Sequence, residues 1–420
     1  MGESILPFSR SAKKLCAAVL VAIVGQETRV RARRANDLET FELAVTLIVS
    51  DLMMALARGG GGWAYRSVSK KSFTDSVVKG DTFNSIVASL NALGLIEKVV
   101  GGNLQNPFAT ETSNSFSPGL ATRFRGTAEL ISLSQGCGIE LSKVKSHFKR
   151  KPSLKELRLK GMSSRSRGQK VNGRSLRVVE SDATKSIRQR LAETNSFLIA
   201  QKYTGMDFYG LRRIFNEGDH SSFDWNLGGR LYGVGDDNYQ MMKKADRSKI
   251  KINGHPVVEL DINASYLRIL HGLRGFALPK ANDIYEIEGV NRSLVKAWIA
   301  STLGHTSFHR SWSLGVASEL RKAGVEMGPD RTYPKLMPKV LEKFPVLADW
   351  PSCGVRWSSL MYQESEALMT TMEALRDLNI VALPVHDSLI VPKSHASLAR
   401  RVMTETFEVR FSVPFVIRAS

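Results

Sequence analysis

The chain has 420 residues, enough for two or three domains. Hydrophobic residues make up 43% of it, which supports packed cores and excludes wholesale disorder. Its 59 Lys and Arg against 40 Asp and Glu leave a net charge of +19, a surface that attracts polyanions, nucleic acid foremost among them.

Cys16, Cys137 and Cys353 are far apart and odd in number, with neither zinc-ligand spacing nor a disulfide framework. That usage points to a reducing, cytoplasmic setting, nucleoid-associated if the source is bacterial. Near the N-terminus, Lys13 and Lys14 precede an apolar run over 15–24. It lacks a clear small-residue cleavage site and is too short to span a bilayer, so it reads as a buried helix. No other segment is expected to cross a membrane.

Asn36 or Asp37 can cap a helix whose apolar stripe is Phe41, Ala44, Val45, Ile48, Leu52 and Ala55, ended by the glycines at 59–62. A second helix starts near Asp81 and Thr82, buries Phe83, Ile86, Val87, Leu90 and Leu93, and stops at Gly94. Residues 95–100 read as a strand, Gly101, Gly102 and Asn103 as a turn, and 121–125 as a returning strand after a polar loop. This succession resembles a winged helix-turn-helix over roughly residues 38–148. The resemblance implies DNA binding, with the second helix in a groove and the wing on the backbone.

From 143 to 177, Lys149, Arg150, Lys151, Lys155, Arg158, Lys160, Arg165, Arg167, Lys170, Arg174 and Arg177 are opposed by Glu156 alone, with Gly and Ser between them. Residues 149–180 therefore read as a flexible basic linker. A helix follows over 182–201, with Ile187, Leu191, Phe197 and Leu198 facing inward.

The last part of the chain carries four motifs. Gly228-Gly229-Arg230-Leu231-Tyr232-Gly233, followed by Asn238-Tyr239-Gln240, places a guanidinium beside glycines that permit close backbone approach. An apolar strand then delivers Asp261, and a helical turn carries Tyr266 and Arg268. Arg292 and Lys296, after Asp283-Ile284-Tyr285, share one helix face, where two cations repel unless an anion sits between them. Finally, His386 and Asp387 sit at the tip of an apolar hairpin, Leu383 to Val391. Upstream of that hairpin, 362–378 reads as a long helix with Gln363 near its start. Two carboxylates converging at one sheet edge is the arrangement that holds two divalent ions for phosphoryl transfer.

In order and spacing, "GGRLYG…NYQ", "DINASYLR", "RSLVK" and "VHDS" resemble the motifs of family A, bacterial polymerase I-like DNA polymerases, over about the last 190 residues. The resemblance implies a right-hand palm, an antiparallel sheet with packed helices, with reduced fingers because the stretch from Asp261 to Asp387 is short. It implies an α+β chain: a mainly helical, winged-helix-like DNA-binding domain over 1–148, the linker over 149–180, and palm and fingers over 181–420, with thumb-like helices near 181–220. Asp261 and Asp387 would hold Mg2+ or Mn2+, and Arg292 and Lys296 would bind the incoming triphosphate, with Lys296 the candidate proton donor to pyrophosphate. Tyr266 stands where the family has a Glu that crowds the sugar 2′-position. Arg230, Arg268, His386 and Gln363 would contact or support the primer–template. Partners would be DNA primer–template and nucleoside triphosphates, and the activity DNA-directed DNA synthesis, as in replication. Two departures keep alternatives open. Ser388 follows Asp387 where the family has Glu, as in single-subunit, phage-type RNA polymerases, so an RNA polymerase or primase-like enzyme is one alternative. The fingers lack the family's tyrosine-glycine, with Leu303-Gly304 or Gly304-His305 in that region, so a non-catalytic DNA-binding protein with a decayed polymerase fold is the other.

Overall fold

The computed structural model describes all residues except 1–4, 30, 59, 75, 102–120, 151–155, 167–168, 236–237, 282 and 306. The chain divides into two compact units. One is Met1–Arg158 with Arg174–Val179 and Val234–Asp236, and the other is Leu159–Gly173, Glu180–Gly233 and Asp237–Ser420. Helices and several small sheets are mixed throughout, an α+β arrangement.

In the first unit, helix α1 (Arg10–Gly25) is capped by Ser9, whose hydroxyl accepts the Ala12 N–H, and buries Ala12, Leu15, Cys16, Val19 and Ile23. The N-terminal apolar run is thus a core helix. No helix among the described residues is long and apolar enough to cross a membrane. Helix α2 (Ala35–Leu56) starts one residue before the expected caps, so Asp37 lies in its first turn, where the helix dipole still favours a carboxylate. Next come β1 (Trp63–Tyr65), a short 3-10 turn (Lys70–Phe73), α3 (Gly80–Ala92), β2 (Ile96–Val99) and β3 (Arg123–Gly126). The three strands pair antiparallel in the order β1-β3-β2. Phe83, Ile86, Val87 and Leu90 of α3 pack into the same core as α1 and α2. Gly102, Asn103 and the polar loop expected after β2 lie outside the described residues.

The stretch expected as a flexible basic linker, 149–180, instead contains strands at Leu157–Lys160, Ser164–Ser166, Gln169–Val171 and Ser175–Leu176. Leu157 and Leu159 alternate with Arg158 and Lys160, and both leucines are buried. That is the period-2 pattern of a half-buried strand, obscured by the basic composition around it. Lys151, Lys155 and Arg167 lie outside the described residues.

The second unit opens with α4 (Asp182–Ile199), started by a capping box between Ser181 and Thr184. Where several thumb-like helices were expected near 181–220, this one helix gives way to strands at Tyr203–Thr204 and β4 (Leu211–Phe215). Asn195 on α4 both donates to the Leu211 carbonyl (2.9 Å) and accepts its N–H (2.7 Å), substituting for a ladder partner. Strand β5 (Gly228–Gly233) pairs antiparallel with β4.

The larger sheet is built around β6 (His255–Ile262). Helix α5 (Ser265–Arg274) follows it, then α6 (Arg292–Leu303), α7 (Leu314–Lys322), α8 (Tyr333–Lys343) and the long α9 (Trp357–Asp377). A hairpin of β7 (Leu383–Val385) and β8 (Ser388–Pro392), helix α10 (Ala396–Phe411) and β9 (Ile417–Ala419) complete the unit. Strand β6 pairs antiparallel with β8 and with β9. Leu260 and Ile262 of β6 and Leu389 and Val391 of β8 join Phe407, Phe411, Leu368 and Met372 in one core. Pro384, which has no N–H to give, sits on the edge strand β7.

At Gly272 on α5, a Cβ would lie 2.3 Å from the Phe411 carbonyl oxygen and 2.8 Å from its Cβ. Replacing glycine by alanine inside a helix ordinarily stabilises by about 1 kcal/mol. Here the overlap with fixed backbone reverses the sign, and Gly272→Ala is expected to destabilise by about 1–3 kcal/mol in urea unfolding. A more stable variant would contradict the close approach of α5 and α10.

Candidate active site

Two local structures deliver the aspartates. In β6, Leu260 and Ile262 turn into the core, so Glu259 and Asp261 share the opposite face. The strand ends at Asn263-Ala264, where Ala264 takes a left-handed conformation (φ 57°) that costs a non-glycine residue about 1–2 kcal/mol. Arg268 secures that turn: its Nε donates to the Asn263 carbonyl (2.8 Å) and its Nη1 to the Pro414 carbonyl (2.6 Å). Arg268 is therefore a brace for the strand-to-helix turn.

On the facing strand, His386 and Asp387 form the two-residue turn between β7 and β8. His386 is left-handed at φ 55°, a conformation His adopts more readily than most residues. The register pairs Asp261 with Ser388, so Asp387 stands one residue from Asp261's cross-strand partner. Its carbonyl accepts the Ile262 N–H at 3.4 Å. Tyr239 and Gln240 fix the hairpin from beneath, both donating to the Pro384 carbonyl at 2.7 Å. The "NYQ" motif thus acts as a clamp on the strand that leads into His386 and Asp387.

The electrostatics are those of crowded anions. Half-burial, reinforced by the neighbouring Asp387 charge, pushes the Asp261 carboxyl up, while Lys244 and Lys296 pull it down. Partial desolvation, with Arg230 adding to the effect, holds His386 below the usual imidazole range although the residue is exposed at the tip of the turn. A carboxyl raised in part by a neighbouring carboxylate's charge is relieved by a cation. Among the described residues no group of three or more His, Cys, Asp and Glu is placed to hold a metal. The donor set fits an ion of the Mg2+ type, which takes one or two carboxylates and completes its shell with water and substrate phosphate.

Arg230 sits beside this pair. Its Nη2 donates to Glu364 Oε1 (2.6 Å) and to the Tyr266 hydroxyl (3.0 Å), and its buried Nε has no hydrogen-bond partner. Burial pulls the guanidinium down, but Glu364 together with Tyr266 and Tyr232 more than offsets this and leaves it raised. Glu364 is 1% exposed, and burial pushes its carboxyl up to about 7 against the pull of Arg230. The sequence motifs single out the neighbouring Gln363, yet Gln363 accepts from Arg410 and lies on another face of α9. One residue is about 100° on a helix, and tertiary packing rather than motif spacing sets that phase. Glu364 left no usable signal, because its partner is 134 positions away. Lys244 and Glu259 were also missed. Glu259 accepts from Arg247 through both oxygens and from Ser388 Oγ at 2.8 Å.

The two cations on α6 separate in role. Arg292 is paired with Asp283 and lies over the Tyr285 ring at 5.3 Å. Lys296, one turn on, is exposed, has no ion-pair partner among the described residues and reaches Asp261 electrostatically. The structure therefore groups Asp261, Asp387, Lys296, His386, Tyr266 and Arg230. It sets Gln363 apart, and it occupies Arg292 with an internal carboxylate.

The raised Glu364 gives a signed expectation. Its contribution is full while the carboxyl is protonated, below the unfolded value near 4.3, and is lost as pH rises through about 7. Glu364→Gln, neutral at every pH, is expected to lose less stability relative to the native protein at pH 8 than at pH 5. Glu364→Ala, which strands the Arg230 guanidinium, is expected to cost roughly 3 kcal/mol. Urea unfolding of the three proteins across this range is the check, and a Gln deficit that grows with pH would contradict the assignment.

Compared with known proteins, the chain matches no family model and no curated protein. Among solved structures it is similar to the polymerase domain of Pol1 from M. smegmatis, in complex with DNA primer-template and dNTP. The identity is 11% and the TM-score 0.32, over 99% of this chain and 66% of that one, so the chain spans just under two thirds of that domain's length. A likeness at that level fixes neither family nor function.

Proposed function

We propose that this chain is a nucleotidyltransferase that extends a nucleic-acid primer with deoxynucleotides on a DNA template. The observation that carries the reading is the β6–β8 register, which brings Asp261 and Asp387 together at one sheet edge with the Asp261 carboxyl pushed up. A pair of Mg2+ or Mn2+ ions held there would lower the pKa of the primer 3′-hydroxyl and neutralise charge on the triphosphate and the leaving pyrophosphate. The chain's own residues do the rest. Lys296 would bind the triphosphate and give a proton to pyrophosphate. His386 would contact the primer terminus, and Arg230, whose buried Nε has no partner, would support the site from beside it. Tyr266, its hydroxyl tied to Arg230, presents its ring beside the site, where it would restrict the sugar. Arg292 would have to exchange Asp283 for phosphate in order to help.

Ser388 does not by itself favour the RNA polymerase alternative. Its hydroxyl serves Glu259 and the Val385 carbonyl, which is a structural use. The first unit supports a DNA-holding role through its order of helix, strand, helix and two strands, with Lys98, Arg123 and Arg125 on the returning pair. Its α3 presents Asp81, Ser85, Ala88 and Asn91 outward, a face without basic residues. Affinity there would rest on the strands and their phosphate contacts.

Template-directed primer extension by the native protein is the test. Asp387→Asn is expected to lower it by roughly a thousandfold without altering the circular dichroism spectrum. Retained extension by the variant would remove the metal assignment, and absence of extension by the native protein with either ion would remove the proposed activity.

A further inference from the structure

The three-stranded sheet of the first unit has one face in the core and one outside it. Ala64, Ile96 and Phe124 are buried. Strand alternation therefore puts Trp63 and Tyr65 of β1, Glu97 and Val99 of β2, and Arg123 and Arg125 of β3 on the opposite face. The register arranges these six in two rows, Trp63–Arg125–Glu97 and Tyr65–Arg123–Val99.

That outer face is aromatic and cationic at once. Tyr65 is 54% exposed. Both guanidiniums lie over the half-buried Trp63 ring, Arg123 at 4.8 Å and Arg125 at 4.6 Å from its centre. Such cation–π contacts hold the long arginine side chains in place before any ligand arrives. Arg125 is also paired with Glu97, its Nε donating to Oε2 at 3.1 Å. Arg123 makes no such pair among the described residues, and its buried Nε has no hydrogen-bond partner there. A buried donor left over in this way is satisfied by an incoming acceptor, and a phosphate oxygen is the strongest one for a guanidinium.

Trp63 and Tyr65 are two residues apart on one strand, so about 7 Å of backbone separates them. That is about twice the 3.4 Å spacing of stacked nucleotides. Rings at this spacing suit bases drawn out of the stack, which a duplex does not present. The outward face of α3 lacks basic residues, so the sheet is the better provided surface of this unit for a polyanion. We infer that the outer face of β1, β3 and β2 docks single-stranded DNA, with Tyr65 and Trp63 stacking on bases and Arg123 holding a phosphate. That the strand is DNA rests on the template proposed above. The preference for single strands rests on the face itself, since a duplex offers it phosphates alone.

Fluorescence anisotropy of the full chain, without divalent ions or nucleotides, tests the inference with a labelled single-stranded oligodeoxynucleotide and with the same strand annealed to its complement. Tyr65→Ala, at an exposed position, is expected to weaken single-strand binding about tenfold, the scale of one base–aromatic stack, and to leave duplex binding unchanged. Arg123→Gln is expected to weaken both and to lower the salt slope of binding by about one. Photo-crosslinking of the native protein to an iododeoxyuridine-substituted strand separates this face from DNA held by the second unit, and the adduct is expected on Trp63–Tyr65. Equal losses for single strand and duplex in Tyr65→Ala, no loss at all, or adducts confined to the second unit would overturn the inference. Single-strand binding that depends on Tyr65, in a protein that extends no primer, leaves the docking face standing and removes the proposed reaction. Primer extension by a protein whose single-strand binding ignores Tyr65 does the reverse.

Discussion

The antiparallel register of β6 on β8 is the constraint on which the rest of this site depends. It pairs Asp261 with Ser388 and thereby sets Asp387 beside Asp261 at the sheet edge. A slip of one residue would send Asp261 and Glu259 into the core and bring Leu260 and Ile262 out, so the hydrophobic effect and the chemistry are enforced by one alignment. The core side of both strands resists the slip through Leu260, Ile262, Leu389 and Val391. Tyr239, Gln240 and Arg268 hold the two turns at its ends through backbone carbonyls.

Around that alignment the protein keeps an unusual amount of buried charge. Helix α9 buries Glu364 and Glu366, and each has an arginine partner: Arg230 at 2.6 Å for the first, Arg213 at 2.7 Å for the second. Such pairs contribute little net stability, but losing one member is costly, so they specify which side chain sits where. At Arg230 the pairing orients a guanidinium that also holds Tyr266, leaving its buried Nε without a partner. With carboxylates at the sheet edge and cations near them, the proposed site would be completed by a bound cation and a polyanion.

The parts legible in the sequence were those with a local signature. The strand before Asp261 and the hairpin at His386-Asp387 showed as short apolar runs broken by polar residues at their ends. The helix of Phe41 to Ala55 and that of Phe83 to Leu90 showed as stripes. What escaped was non-local or masked. The strands between 157 and 176 were hidden by basic composition, although Leu157 and Leu159 carried the alternation. The single helix where several were expected after 181 reflects strand pairing of β4 with β5, which no local window contains. Glu364 in place of Gln363 is a matter of helix phase set by Arg230. Arg292 and Lys296 do share a helix, but Asp283 claims the first, and nothing in their spacing announces that.

Binding of Mn2+ followed by electron paramagnetic resonance tests most directly whether Asp261 and Asp387 form one metal site. The account predicts that Asp261→Asn or Asp387→Asn alone weakens Mn2+ binding by more than about tenfold, and that the double variant is hardly worse than either, as expected for residues acting as a unit. Unchanged binding in the single variants, or independent additive losses, would show that the two carboxylates do not share an ion.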